Sequence, residues 1–224
     1  MKAKIIMLSA LGAVSFGLTQ AASAHWTNGA CVSGTAPCIE WNDNNLTGPK
    51  HFNGTGSDNN VWHGHPNGGD FSFAGTTVLS CPGLPSIECT LTLEGEVKKF
   101  NDGQDWRVGI RVNNSTITGG LLCGVVSVGG FPWYADETSE DDVFDEDSGI
   151  VWPGSLIGNF GNIDVSVFGG AVASNTHIHD VTYNNTDTFS FNGNLFENGT
   201  EVDTGCSVVG DLELQPTSET LSIN

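Results

Sequence analysis

Ile87-Glu88-Cys89-Thr90-Leu91-Thr92-Leu93-Glu94, the opening of a run that continues to Val97, changes from apolar to polar at every step. Only an extended strand puts residues i, i+2 and i+4 on one face; a helix would scatter Ile87, Cys89, Leu91 and Leu93 around its circumference. One face of this segment therefore belongs to a core and the other to water. Asn101-Asp102-Gly103 then supplies a turn, after which Trp106, Val108, Ile110 and Val112 repeat the two-residue period. Together the two runs predict a β-hairpin.

The same alternation starts at Phe71, Phe73, Thr76 and Val78, just beyond Gly69. Further strands are expected at 115–118, 121–128, 163–168, 188–195 and 206–214, separated by Gly-Gly, Asn-Gly and Asn-Asn punctuation. Helical periodicity is absent, so residues 69–224 read as an all-β antiparallel domain, a sandwich or a barrel-like fold. Residues 25–68 are rich in Asn, Gly and Asp and hold Trp26, Trp41 and Trp62 without sustained periodicity. They are expected to form a loop-rich N-terminal extension.

Lys2 and Lys4, an apolar run from Ile5 to Leu18 and the small residues Ala22-Ser23-Ala24 have the make-up of a secretory signal peptide over 1–24, with His25 as the first mature residue. The apolar run is too short to span a bilayer. Export implies an extracellular, cell-surface or periplasmic location and no membrane span. Cleavage leaves 5 basic against 26 acidic residues, a formal charge of −21. That excess excludes nucleic acid as a partner.

Six cysteines in an exported chain predict three disulfides. Six allow about fifteen pairings; proximity in sequence pairs Cys31 with Cys38 and Cys81 with Cys89, leaving Cys123 and Cys206 to close a long loop. No CxxC spacing is present, which argues against redox chemistry or zinc held by thiolates.

A series of landmarks is similar to the secreted bacterial proteins labelled activators of alkane oxidation, the PraB-like family. These are Phe71-Ser72-Phe73-Ala74-Gly75-Thr76-Thr77, Glu88-Cys89-Thr90-Leu91-Thr92-Leu93-Glu94-Gly95-Glu96-Val97, Thr116-Ile117-Thr118-Gly119-Gly120 leading to Leu122-Cys123, Gly130-Phe131-Pro132-Trp133, and Gly205-Cys206-Ser207-Val208-Val209-Gly210-Asp211-Leu212. They span roughly residues 71–214. The resemblance implies a non-enzymatic secreted protein of the cell surface or extracellular matrix, linked to biofilm formation, adhesion and contact with hydrophobic substrates such as alkanes. It brings no active-site residues with it. Expected partners are extracellular polymers, hydrophobic surfaces and further copies of the chain.

Two metal readings compete with this one. A mature N-terminal His25 can chelate copper(II) through its amine and ring, as copper-dependent polysaccharide oxygenases do. His177 and His179, spaced i and i+2, would share a face of a strand and supply further nitrogen ligands, with His51, His63 and His65 as other candidates. His63-Gly64-His65 is expected in a flexible loop. Separately, eight carboxylates crowd into residues 136–147, among them Asp141, Asp142, Asp145 and Asp147. Self-repulsion predicts an exposed loop there, and calcium favours such oxygen donors, although the spacing of an EF-hand is missing. A calcium-assisted carbohydrate-binding module would use this loop with exposed tryptophans from Trp26, Trp41, Trp62 and Trp152. No Gly-x-Ser-x-Gly elbow occurs and no carboxylate pair is singled out, so catalytic residues and cofactors are expected to be absent.

Overall fold

The computed structural model describes residues 26–32, 34, 36–44, 48–53, 58–137 and 143–224. The signal-peptide segment and His25 lie outside them, as do Asp141 and Asp142. Three short strands come first: β1 (Thr27–Asn28), β2 (Ile39–Asn42) and β3 (Lys50–Phe52). Then follow β4 (Phe71–Ser80), β5 (Ile87–Asn101), β6 (Trp106–Thr118), β7 (Val126–Gly129), β8 (Trp133–Asp136), β9 (Ile150–Trp152), β10 (Ile157–Val167), β11 (Gly170–Tyr183), β12 (Thr188–Glu197), β13 (Asp203–Gln215) and β14 (Thr220–Ile223). No helix among the described residues is long and apolar enough to cross a membrane.

The large sheet runs β11-β12-β13-β4-β5-β6-β8-β10, and β10 pairs back onto β11, which closes an antiparallel barrel of eight strands. Of the two expected architectures, the barrel is the one found. The expected hairpin is β5–β6, with Asn101 opposite Trp106. Its turn is held by Asp102, whose carboxylate accepts from the backbone N–H groups of Gln104 and Asp105. The Arg107 guanidinium donates to the same carboxylate and holds it well below the usual carboxylate range. The strands expected at 106–112 and 115–118 are one continuous strand. The segment 121–128 is extended only from Val126, because Gly119-Gly120 turns the chain into a 3-10 turn at Cys123–Val125.

Inside the barrel, Phe73, Leu91, Leu93, Val108, Val112, Phe160, Ile178, Phe191, Leu195, Leu212 and Leu214 are buried, as the period-two pattern requires. The described residues of the segment 25–68 include the three strands β1–β3, which their composition does not suggest. β1, β3 and β2 pair in that order with the C-terminal β14 to make a second, four-stranded sheet. Its Ile39, Trp41, Phe52, Leu221 and Ile223 join the same core as the barrel residues. The strands are too short for a period to be visible in sequence, and their apolar residues acquire a buried face only when β14 arrives beside them.

Hairpin geometry divides the barrel into two ends. Connections 102–105 and 184–187, together with the second sheet, lie at the capped end. Connections 81–86, 119–125, 168–169 and 198–202 lie at the other, bare end.

Cys31 and Cys38 are bonded as expected, but Cys81 pairs with Cys206 and Cys89 with Cys123. Register explains the difference. Ser80 lies opposite Ser207 across β4 and β13, so Cys81 and Cys206 are the next facing pair, with Cα atoms 4.1 Å apart. Cys89 faces Thr77 on one side, which leaves Cys81 four residues further along β4 and out of reach. On its other side the chain leaves β6 and folds back at Gly119, whose φ of +133° suits glycine and whose would-be Cβ would stand 2.9 Å from the Cys123 sulfur. The 3-10 turn thus delivers Cys123 to Cys89.

Candidate functional site

Two features stand out on this frame: a cluster of metal-ligating side chains on the wall of the barrel and a bare end where large apolar side chains stand in solvent. Both are built from β11 and its neighbours.

His177 and His179 lie two apart on β11 and do share a face, while Ile178 between them points into the core. Their Nε2 atoms are 2.8 Å apart. Pairing of β11 with β12 sets His177 opposite Phe196, and the connection after β12 returns Glu201 to the pair. Glu201 Oε1 is 3.1 Å from His177 Nε2, and its Oε2 is 3.0 Å from His179 Nε2. Among the described residues this is the group of three whose ligand atoms converge closely enough to hold one ion. His177 is 0 % exposed although it faces outward. Phe196 flanks it on one side, and Phe144 from the acidic loop lies over it with ring centroids 5.5 Å apart.

Phe144 reaches that position because residue 161 of β10 is glycine. A Cβ there would fall 2.0 Å from the Phe144 ring. The Phe144 carbonyl accepts from Asn162 Nδ2 at 2.9 Å, which ties the loop to β10. The acidic loop is therefore not exposed throughout: Phe144 and Ser148 are buried, and Asp145, Glu146 and Asp147 carry the charge outward. Asp145 Oδ1 accepts from the Asp147 backbone N–H at 2.9 Å. Of the four carboxylates proposed for calcium, Asp141 and Asp142 lie outside the described residues, and among the described residues Asp145 and Asp147 belong to no converging group of three.

The remaining histidines belong to the second sheet and its seam with the barrel. His51 Nδ1 contacts the Gly29 carbonyl at 2.7 Å. His63 is buried, stacks on Phe52 at 3.7 Å and exchanges two backbone hydrogen bonds with Val97. His65 meets the buried Glu219, which also accepts from Trp41 Nε1 at 2.9 Å. His63-Gly64-His65 is thus a fixed seam and not a flexible loop, because the Val97 bridge satisfies its backbone. Of the tryptophans expected as exposed sugar platforms, Trp26, Trp62 and Trp152 are half-buried, and Trp41 departs from expectation. Trp41 is fully buried, Trp26 packs against Phe52 and Phe71, and Trp62 lies between the Lys98 ammonium and the Arg111 guanidinium. Phe131-Pro132-Trp133 is a turn that buries Trp133 against Phe131.

Lys98 and Lys99, which the sequence did not single out, are both buried. Lys98 Nζ donates to Asn60 Oδ1 and to the Glu146 carbonyl, pinning the acidic loop. Lys99 Nζ donates to the Pro37 carbonyl and lies over the Trp106 ring, pinning the N-terminal extension. Burial lowers the pKa of both, that of Lys99 to about 8.

At the bare end, connections 81–86, 119–125 and 168–169 read Cys-Pro-Gly-Leu-Pro-Ser, Gly-Gly-Leu-Leu-Cys-Gly-Val and Phe-Gly, with no charged residue, while the fourth connection, 198–202, carries Glu201. Leu121 is 98 % exposed and Phe168 64 %. The Phe168 N–H donates to the Val125 carbonyl at 2.9 Å, which joins two of these loops into one tip. Beneath it a separate small core gathers Ile87, Val167 and the Cys89–Cys123 bridge.

A disulfide-stapled, eight-stranded antiparallel barrel with a capped and a bare end is the class that this architecture defines. A family model described as alkane oxidation protein activator PraA/PraB-like matches residues 54–222, and the chain belongs to that family. The match takes in β4–β13 and most of β14, beyond the landmarks legible at 71–214, and leaves β1–β3 outside. Neither the curated proteins nor the solved structures give a match.

Proposed function

We propose that the protein is an exported, non-enzymatic component of the cell surface or extracellular matrix that uses the bare end of its barrel to contact hydrophobic material such as alkanes, in support of adhesion and biofilm formation. The observation that carries this reading is the pairing of Leu121 and Phe168, far into solvent, on loops without charge, at one end of a chain whose formal charge is −19. An acidic body stays in water while a localised apolar end seeks an oil phase, so the molecule orients at an interface. The family description, tied to alkane oxidation, supports the choice of hydrophobic material.

The barrel interior is a poor rival as a container. An apolar void inside it, walled by Phe71, Phe73, Phe160 and Phe191, is about 50 Å³. That is well short of the roughly 150 Å³ of an apolar cavity that takes up benzene, and so too small for an alkyl chain. Adsorption of the secreted protein at a hexadecane–water interface tests the proposal, read as the fall in interfacial tension. Leu121→Ser combined with Phe168→Ser is expected to abolish most of that fall. Equal adsorption of the double variant, or turnover of a hydrocarbon or polysaccharide by the purified protein, would defeat it.

A further inference from the structure

Glu201 is 24 positions from His177 in sequence and meets it only through the β11–β12 register and the loop that follows. From that meeting we infer that His177 Nε2, His179 Nε2 and the Glu201 carboxylate form a site for one divalent transition ion of the zinc or copper class, independent of the N-terminal His25.

The distances are those of ligands sharing an ion. Two donors each about 2.0–2.1 Å from the same metal stand roughly 3 Å apart, and the three contacts here are 2.8, 3.1 and 3.0 Å. Hydrogen bonding alone does not satisfy the group. Asn198 Nδ2 donates to Asn162 Oδ1 at 3.3 Å and to Asn175 Oδ1 at 3.0 Å, so the amide oxygen is the atom facing His177 Nδ1 at 3.0 Å. An oxygen there requires a hydrogen on Nδ1, which leaves the neutral ring with a lone pair on Nε2. If His179 Nε2 then carries the hydrogen between the rings, His177 Nε2 faces Glu201 Oε1 acceptor to acceptor. If His177 is fully protonated instead, His179 Nε2 faces Glu201 Oε2 in the same way. With hydrogens on both Nε2 atoms, the 2.8 Å contact becomes donor against donor. With Glu201 ionised, each arrangement leaves a repulsive contact of about 3 Å, and a cation among the three atoms removes it.

The surroundings suit that role. Asn198 orients His177 as an outer-shell partner orients a ligating imidazole. His179 and Glu201 are about one-third exposed, which gives an ion a way in and leaves positions for water. Calcium and magnesium favour oxygen donors, whereas two imidazoles and one carboxylate suit zinc, copper and their neighbours. The acidic loop, whose Phe144 covers His177, raises the local concentration of cations.

The test is calorimetric titration of the metal-stripped mature protein with zinc, then copper, in excess calcium. The expected result is one ion per chain with a Kd below about 1 μM. His179→Gln and Glu201→Gln, partly exposed and so tolerated by the fold, should each weaken binding by about tenfold or more, and Asn198→Ala by about 10- to 100-fold. Adding one residue before His25 should change nothing. Thermal unfolding without metal checks that each variant is folded. Absence of saturable binding, equal binding by the folded Gln variants, or loss of binding on extending the N-terminus would overturn the assignment. Glu201 lies on the 198–202 connection of the bare end but not on the loops that carry Leu121 and Phe168, so a Glu201→Gln variant that loses the ion yet keeps its interfacial adsorption separates this site from the interfacial reading.

Discussion

At the capped end of the barrel, β2, β3 and β14 lay Ile39, Trp41, Phe52, Leu221 and Ile223 over the interior, and polar groups lock the cover in place. The buried Tyr183 hydroxyl donates to the Leu221 carbonyl, Lys99 reaches the Pro37 carbonyl, and Glu219 gathers Trp41 and His65. At the bare end the loops are short and carry a single charged residue, Glu201, and two disulfides, Cys81–Cys206 and Cys89–Cys123, hold what packing does not. One end has traded exposure for packing and hydrogen bonds. The other keeps apolar side chains in water and relies on covalent bonds to stay shaped. Under the proposed function, a surface that meets an apolar phase has to be held by something other than its own burial, and cross-links supply that.

The largest effect that could break this contrast is removal of Cys81–Cys206. Its sequence separation of 125 predicts a loss of about 5 kcal/mol on the chain-entropy model, against about 2 kcal/mol for Cys31–Cys38 with its separation of 7. Paired Cys→Ala variants compared by denaturant unfolding under oxidising conditions would measure both. Equal losses would mean that the bare end does not lean on its cross-link. Next, Trp41→Ala at the capped end should cost about 3–5 kcal/mol, from the void and from the donor that Glu219 loses. A cost under about 1 kcal/mol would show that the second sheet is an ornament on a barrel stable without it.

How much of this was legible depends on the kind of signal each part leaves. β5 and β6 are long, alternate cleanly and are joined by a turn with its own chemistry, so their pairing could be read directly. β11 is as long as they are, yet Asn175 and Asp180 take positive φ and interrupt its period. Only His177 and His179, two apart, betrayed it. Glu201 and Asn198 had no sequence signal, because nothing local ties a loop after β12 to the face of β11. The disulfide exchange failed for the same reason: proximity in sequence stood in for register, and Cys89 has Thr77, not Cys81, as its neighbour. Lys98 and Lys99 were invisible because two adjacent lysines read as surface until the acidic loop and the extension fold over them.

Those lysines give a smaller, pH-dependent test of the capped end. Burial lowers the Lys99 pKa from 10.5 in the open chain to about 8. Between those values the unfolded chain binds the proton and the folded one does not, so stability from this residue rises with pH across the window. Below about pH 8 the folded state carries the full cost of a buried ammonium. Above about pH 10 the trend is opposed by Tyr183, whose buried hydroxyl keeps its proton in the folded state while the unfolded chain loses it. The difference in stability between the wild type and Lys99→Met isolates the lysine. It should change by on the order of 1 kcal/mol from pH 8 to 10 in favour of the wild type at the higher pH, measured by urea unfolding. A flat difference would place the ammonium in water and loosen the extension from the barrel.

The smallest stability effect belongs to the bare end, and its smallness is the argument. Leu121 has almost nothing to lose on replacement, since its side chain is already in water, and Phe168 keeps only the contacts of its backbone N–H to Val125 and a fraction of its ring. Leu121→Ser and Phe168→Ser should each shift unfolding by no more than about 0.5 kcal/mol. Two large apolar residues that contribute so little to folding would be kept in solvent for what they touch outside the molecule. If either serine variant instead lost 2 kcal/mol or more in the same urea titration, the tip would be part of the core that surrounds Cys89 and Cys123. The two ends would then differ in how completely they are covered, not in what they are for.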